Sequence, residues 1–376
     1  MVAKKTPLYD EHLRLQGKMS DFAGWIMPLW YATGQSKEHQ ATRNQCGLFD
    51  ICHMGEFRIG GRESQKFLST LLTNNIEGME DSQAMYSFML NENGGVIDDC
   101  ILYRFDSENW MLVVNGGNIE SDFNWIKDHA PSSLTLENIS DITAKIDIQG
   151  PFAPKLVAKV AGKESIDQLR FFRFKPGIHI NNMEVLISRT GYTGEIGFEL
   201  YTEVRHCIDL WRLLLKEGDE FGILPCGLGA RDTLRIEAGL PLHGHELKKD
   251  RIALGHPWEF AIDFESDFLG KEILIEKKSS GIDYFVVPFI IEGRRKAMPG
   301  WEVIQNDEII GTVLSGVLSP SLNNTPIGFA GIGRVLQEGE KIEFKKSGDD
   351  KRLSGRIAKI PFVPLTSRKK LKLFLH

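Results

Sequence analysis

A chain of 376 residues is too long for one ordinary hydrophobic core and fits two or three domains. Its 45 basic and 51 acidic side chains leave a formal net charge of -6, so nucleic-acid binding by phosphate neutralisation is a poor expectation. The 42% hydrophobic and 10% aromatic content suits well-filled cores rather than disorder.

The opening MVAKKTP lacks the apolar stretch of a secretory signal. Residues 36–46 suit a polar surface helix with Ser36 as its N-cap. Phe67, Leu68, Leu71 and Leu72 form an apolar stripe at helical spacing over 62–72. Two apolar runs, 85–91 and 96–105, flank Glu92-Asn93-Gly94-Gly95, and this linker predicts a β-hairpin because Asn and Gly tolerate positive φ. A third strand is expected over 110–115. A helix follows, with Ile119, Phe123 and Ile126 on one face. Further on, strands are expected at 144–149, 184–189 and 198–202, and helices at 152–160, 204–217 and 228–238. Strands and helices mixed without strict βαβ order favour an α+β fold. Beyond residue 283, short β-rich runs at 284–291, 301–305, 311–314, 341–345 and 352–360 predict a small all-β barrel or sandwich. Lys277-Lys278-Ser279-Ser280-Gly281 reads as the boundary before it, and the basic Arg368-Lys369-Lys370 as a solvated end, with an anion contact as the alternative.

Cys46, Cys52, Cys100, Cys207 and Cys226 show no CxxC spacing, and most sit beside apolar residues. A reduced compartment without structural zinc is the economical reading, and the expected location is cytoplasmic. No apolar run approaches the ~20 residues a bilayer span needs. There is no GxxxxGK[ST] loop, and the glycines of 191–197 have the wrong spacing for a dinucleotide fingerprint. No GxSxG elbow appears either, so ATP, NAD and covalent nucleophilic chemistry lose ground.

Three clusters carry chemistry. Asp99 shares one face of strand 96–105 with Ile97, Ile101, Tyr103 and Phe105, and Asp98 shares the other with Val96, Cys100 and Leu102. A carboxylate on an apolar face needs a partner or a ligand if buried. Both faces are apolar, so the pattern leaves open which carboxylate is buried, or whether each sits in water at the hairpin mouth. Glu199, between Phe198 and Leu200, reads from alternation as an ordinary solvent-facing residue. His243, His245 and Glu246 (HGHE) lack the i, i+4 helical spacing of zinc hydrolases and an obvious third ligand.

Read as strings, several segments occur in one order: TPLY at 6–9, FAGW at 22–25, TRNQCGLFDICHMGEFRIGG at 42–61, LNENGGVIDDCILYRF at 90–105 and LVVNGGN at 112–118. IQGP at 148–151, SRTGYTGEIGFELY at 188–201, GLGARDTLRIEAGLPLHGHEL at 227–247, DFLGKE at 267–272 and TVLSGVLSPSLNNTPIG at 312–328 follow. In these the chain resembles the T-protein (aminomethyltransferase) family of the glycine cleavage system over nearly its whole length. The resemblance implies a three-domain ring of two α+β folate-binding domains and a C-terminal β-barrel. The expected divisions are 1–50 with 138–226, 51–137 with 227–280, and 283–376. It further implies transfer of a methylene unit from the aminomethyl-lipoyl arm of a carrier, the H-protein, to tetrahydrofolate, with release of ammonia.

Carried over by position, Asp99 matches the family's essential carboxylate, which stabilises positive charge at the transferred carbon or relays a proton. Glu199 matches the pterin-reading glutamate, its two oxygens suited to adjacent N–H donors. Tyr192 matches a tyrosine near the pterin. Arg231 matches a folate-contacting arginine, the competing reading being an ion pair with Asp232. Met54, Leu112 and Val114 match cavity-lining positions, against plain core packing. Departures fall at Leu242-His243-Gly244, where many members carry an aromatic residue, at His256-Pro257, at Ala297-Met298-Pro299, at Gly331-Ile332-Gly333 and at Ser367. They touch the donor side more than the pterin side. A folate-dependent demethylase or methyltransferase of the same superfamily, acting on a small S-methyl or N-methyl donor, is therefore the alternative.

Overall fold

The computed structural model describes residues 3–375. The N-terminal part runs through β1 (Lys4–Lys5), α1 (Tyr9–Arg14), β2 (Lys18–Phe22), β3 (Trp25–Trp30), α2 (Gln35–Asn44) and β4 (Cys46–Asp50). Next come β5 (Gly55–Gly60), α3 (Ser64–Leu71), β6 (Gln83–Leu90), β7 (Val96–Arg104), β8 (Asn109–Val114), α4 (Ile119–His129) and β9 (Thr135–Asn138). The middle holds β10 (Thr143–Gln149), α5 (Ala153–Ala161), β11 (Phe174–Ile180), β12 (Met183–Ser188), β13 (Gly197–Glu203), α6 (Cys207–Gly218), β14 (Ile223–Cys226), α7 (Leu228–Glu237) and α8 (Lys271–Ser280). The rest is β15 (Phe285–Ile291), β16 (Glu302–Gln305), β17 (Glu308–Ser319), β18 (Thr325–Ile332), β19 (Lys341–Lys345) and β20 (Arg352–Ile357).

A six-stranded sheet has the order β11-β12-β13-β10-β4-β14, and a five-stranded sheet the order β6-β7-β8-β5-β9. Strands β15–β20 close into a barrel, and β1–β3 form a small sheet of their own. The fold is therefore α+β with a C-terminal barrel, as the strand and helix patterns predict.

Each large sheet buries one face under helices. Leu156 and Val157 of α5 and Leu210, Trp211 and Leu214 of α6 pack on Ile146, Ile148, Phe198 and Leu200. Phe67, Leu68 and Leu71 of α3 and Ile119 and Ile126 of α4 pack on Phe57, Leu102, Leu112 and Val114. The opposite faces meet one another: Tyr103, Met111 and Val113 from the five-stranded sheet lie in one cluster with Phe174 and Tyr201 from the six-stranded sheet. A polar residue on these inner faces is therefore enclosed by protein rather than water.

Several local expectations need correction. Ser36 is not the N-cap of α2: Gly34 takes that position at φ 83° with no side-chain cap, and the helix starts at Gln35. α2 is a surface helix on one face only: Ser36, Lys37, Gln40 and Asn44 are exposed, while the polar Glu38 and His39 on the other face are fully buried. Glu38 accepts from the backbone N–H groups of Tyr31 and Gly227 at 2.6 and 2.9 Å, and His39 meets Thr233 and Ser321. Residues 277–280 close helix α8 instead of forming a loose linker, and Gly281 ends it at φ 109°. In the barrel, β17 is much longer than the run 311–314, and the sequence pattern gave no sign of β18. A Cβ on Gly311 would lie 2.0 Å from the Gly331 carbonyl oxygen, so these strands need the glycines that disguise them.

Candidate functional site

The two inner faces enclose a cavity of about 640 Å³, which the C-terminal segment reaches with Leu365, Ser367 and Arg368. Its chemistry separates into an acidic end on β7 and β8 and a charged floor on β10 and β13.

At the acidic end, pleating turns Asp98 into the protein and Asp99 toward the cavity. Asp98 is fully buried and accepts three N–H bonds: from the backbone and side chain of Asn115 at 2.9 and 2.8 Å, and from Asn118 at 2.9 Å. Both asparagines come from the tight Asn115-Gly116-Gly117-Asn118 turn between β8 and α4. Asp99 accepts from the Tyr86 hydroxyl at 2.9 Å and from the Asn115 amide at 3.0 Å. Burial and the neighbouring Asp98 charge push the Asp99 carboxyl up to about 6, against the lowering effects of His243, Tyr86 and Asn115. Behind this pair, burial and Asp98 hold Asp122 up to about 11, so it is a neutral acid. Neither carboxylate stands in open water at a hairpin mouth: Glu92 and Asn93 at the tip are exposed, but Gly94 and Gly95 next to the strand are buried, with Gly95 bridging to Ile252.

His243 sits beside this group. Asn118 donates to its Nδ1 at 3.0 Å, and its Nε2 donates to the Val96 carbonyl at 3.2 Å. The rest of the HGHE string points elsewhere: His245 is exposed, and Glu246 is buried against Arg235 at 2.8 Å and the Ser315 hydroxyl.

At the floor, Glu199 is 4% exposed, contrary to its solvent-facing pattern, because β13 lies inside a sheet covered on both sides. Its Oε2 accepts hydroxyls from Thr190, Tyr201 and Tyr103 at 2.9, 3.1 and 3.4 Å, with Lys145 Nζ at 3.4 Å. Among the described residues Oε1 has no hydrogen-bond donor, and Glu199 lines the cavity. One oxygen is fixed and the other free, which narrows the expectation of two equivalent acceptors. Arg231 lies over the Tyr192 ring at 4.5 Å and 3.7 Å from Asp147 Oδ2, a separation too long for a hydrogen bond. The alternative pairing with Asp232 is not made, because Asp232 binds Arg235 at 2.9 Å. Tyr192 donates its hydroxyl to the Pro241 carbonyl. His53, beside Met54, is driven down to about 3 by burial and by the Arg231 charge, and stays neutral.

The structure thus brings Asp99, Met54, Tyr192, Glu199 and Arg231 to one cavity. It does not bring Leu112 and Val114 there. Both are fully buried in the α3–α4 core, while Val113 between them lines the cavity. Period-two alternation puts neighbours on opposite faces, so a one-residue error in facing exchanges core for cavity. Sequence reasoning also missed Tyr86, Asn115, Asn118 and Lys145. The paired asparagines of the NGGN turn were the available signal, since turn amides next to a buried Asp-Asp pair are its natural donors.

A cavity of this size with a raised carboxyl at one end and a half-anchored carboxylate on its floor has the make-up of a small-molecule site. The comparisons give it a family. The profile of the GCVT N-terminal domain matches residues 8–266. The aminomethyltransferase of Thermoanaerobacter pseudethanolicus is 42% identical over 90% of this chain and 92% of its own. That of Halothermothrix orenii is 37% identical over 96% and 100%. The crystal structure of glycine cleavage system aminomethyltransferase T from Bartonella henselae superposes with TM-score 0.89 at 31% identity, covering 97% of this chain and 99% of that one. The chain belongs to the GCVT aminomethyltransferase family.

Proposed function

We propose that this enzyme transfers the methylene of an S-aminomethyl group, carried on the lipoyl arm of an H-protein, to tetrahydrofolate. The overall reaction breaks the carbon–sulfur and carbon–nitrogen bonds of the donor and forms two carbon–nitrogen bonds, at N5 and N10. The two N–H protons leave with ammonia and with the thiol. The observation that carries this reading is the pairing, in one cavity, of Asp99 raised to about 6 with Glu199 anchored through one oxygen only.

Glu199 offers its free Oε1 to the N–H edge of a pterin, and three hydroxyls keep it from turning away. Arg231 presents N–H groups to carbonyl or carboxylate oxygens of the same ligand, with Tyr192 stacked beneath it. Asp99 faces the positive charge that develops on the amine nitrogens, and it accepts a proton at neutral pH because it is mostly ionised there. Met54 and Val113 supply apolar wall that keeps water from the reactive methylene.

Family membership favours this over demethylation of a small methyl donor. His243, at the departure from the family's aromatic residue, is absorbed into the Asp98 network and leaves the acidic end complete. Titrating tetrahydrofolate calorimetrically into wild type and Glu199→Ala tests the assignment. The variant should bind about 2–4 kcal/mol more weakly, since ligand N–H groups lose a charged acceptor. Equal affinities would mean that the pterin is read elsewhere.

A further inference from the structure

The face of β10 turned toward the second sheet carries Lys145, Asp147 and Gln149, all buried. Lys145 Nζ lies 3.4 Å from Glu199 Oε2, 3.5 Å from Met54 Sδ and 5.0 Å from the centre of the Tyr201 ring. Glu199 and Met54 line the cavity, whereas Lys145 stands behind them, 1% exposed. A buried ammonium costs several kcal/mol unless its charge is answered, so an apolar residue would fill this position more cheaply. We propose that Lys145 is the positioning residue of the cavity floor: its ammonium holds the Glu199 carboxylate and the Met54 sulfur in place for the ligand without touching the ligand itself. The proposal rests on the reading of Glu199 as the pterin anchor.

The charge arrangement around Lys145 supports it. Glu199 and Tyr201 face it from β13, Asp147 from its own strand, Glu56 from β5 and Tyr103 from β7. Arg231 approaches from α7 and the neutral His53 from the segment after β4. Three carboxyl groups therefore share two cations. Burial and the Glu199 charge push Glu56 up to about 8, with Lys145 opposing, and Asp147 up to about 7, with Arg231 opposing. The cluster already holds a proton near neutral pH. Removing the Lys145 charge lets Glu56 and Asp147 hold their protons to higher pH, and a floor without its ammonium no longer keeps the Glu199 carboxylate in place for the ligand's N–H groups.

The sign follows directly. Without Lys145 the carboxyl groups bind protons more tightly, so ligand affinity is lost as pH falls and returns as pH rises. Tetrahydrofolate affinity of the intact protein, measured calorimetrically from about pH 6.5 to about pH 9, reads this out. Lys145→Gln keeps an N–H donor and most of the volume while removing the charge. It should bind about tenfold more weakly than wild type at about pH 7 and recover toward about pH 9. Glu56→Gln removes a competing carboxyl without removing a cation, so it tests the proposal even if Lys145→Gln does not fold. Below about pH 8 Glu56 is already protonated, so the variant should match wild type there and bind more tightly than wild type toward about pH 9, where an ionised Glu56 competes for Lys145. A Lys145→Gln loss that is equal at every pH, or absent, contradicts the proposal, as does a Glu56→Gln profile that still overlays wild type at about pH 9. Glu199→Gln run in parallel separates the two readings. If it binds normally, the pterin anchor is wrong. If it binds weakly while Lys145→Gln keeps a flat profile, the role of Lys145 alone falls.

Discussion

At Asp99 two effects oppose one another: burial raises the carboxyl, and hydrogen bonding helps keep it ionised. Burial and Asp98 raise it to about 6, while His243, Tyr86 and Asn115 oppose them. Below that value it takes up a proton and stops serving as an acceptor, so turnover should fall roughly tenfold per pH unit on the acid side. Asp99→Asn preserves shape and removes the base. It should cost about 10²–10⁴ in kcat while leaving the melting temperature close to wild type, and near-normal turnover would remove Asp99 from the mechanism. Pattern alone could not choose between Asp98 and Asp99, because both faces of β7 are apolar; only the string GGVIDD pointed to the second. Lys145 was harder to see. In TAKIDIQ the polar residues Lys145, Asp147 and Gln149 alternate with Ala144, Ile146 and Ile148, which is the signature of a strand with one wet face. The polar face is instead pressed against another sheet, and nothing local in the sequence distinguishes the two situations.

Among the elements, the β6–β7 hairpin and the helices of the first two sheets were legible to within a residue or two, because turn chemistry and apolar spacing agree there. What escaped were facing and glycine-rich strands. Leu112 and Val114 belong to the helix-packed core by one step of alternation, and β18 hides behind Pro326, Gly328 and Gly331. The turn joining β8 to α4 has the greatest leverage on the site, since it presents Asn115 and Asn118 to Asp98 and Asp99. It is held close to the chain at His53: a Cβ on Gly116 would lie 2.2 Å from the His53 carbonyl oxygen, and Trp25 donates to the Gly116 carbonyl at 3.2 Å. Gly116→Ala must therefore displace the turn. It should destabilise the protein by about 1–3 kcal/mol in a denaturant titration and depress kcat further than Km for tetrahydrofolate, because the acidic end moves and the floor does not. Unchanged kcat in a folded variant would show that the asparagines do not position Asp99.

Across the whole molecule, the barrel is tied to the half that lines the cavity by buried carboxylates at the end of α7 and beyond it. Glu237 binds Arg43 at 2.9 Å and His39 at 3.2 Å, and accepts from Ser321 at 2.7 Å and from Ser319. Glu246 joins Arg235 to Ser315 in the same way. Despite its burial, Glu237 is pulled down to about 2 by His39, Arg43 and Ser319. A depressed carboxyl stabilises the fold above its unfolded value near 4.5 and loses that contribution as pH falls toward about 2. Glu237→Gln should cost about 3–5 kcal/mol at neutral pH, and the difference from wild type should shrink on acidification. A constant difference between about pH 7 and about pH 3 would mean that the ion pairs contribute little.

The central claim is the reaction, and a single-turnover experiment tests it most directly. The enzyme, tetrahydrofolate and an H-protein loaded with the aminomethyl-lipoyl group are mixed, and ammonia and methylenetetrahydrofolate are followed together. The account predicts that both appear at the same rate and in equal amounts, one of each per carrier consumed. Tight tetrahydrofolate binding without release of either product would contradict it, and would assign the cavity to a different one-carbon donor.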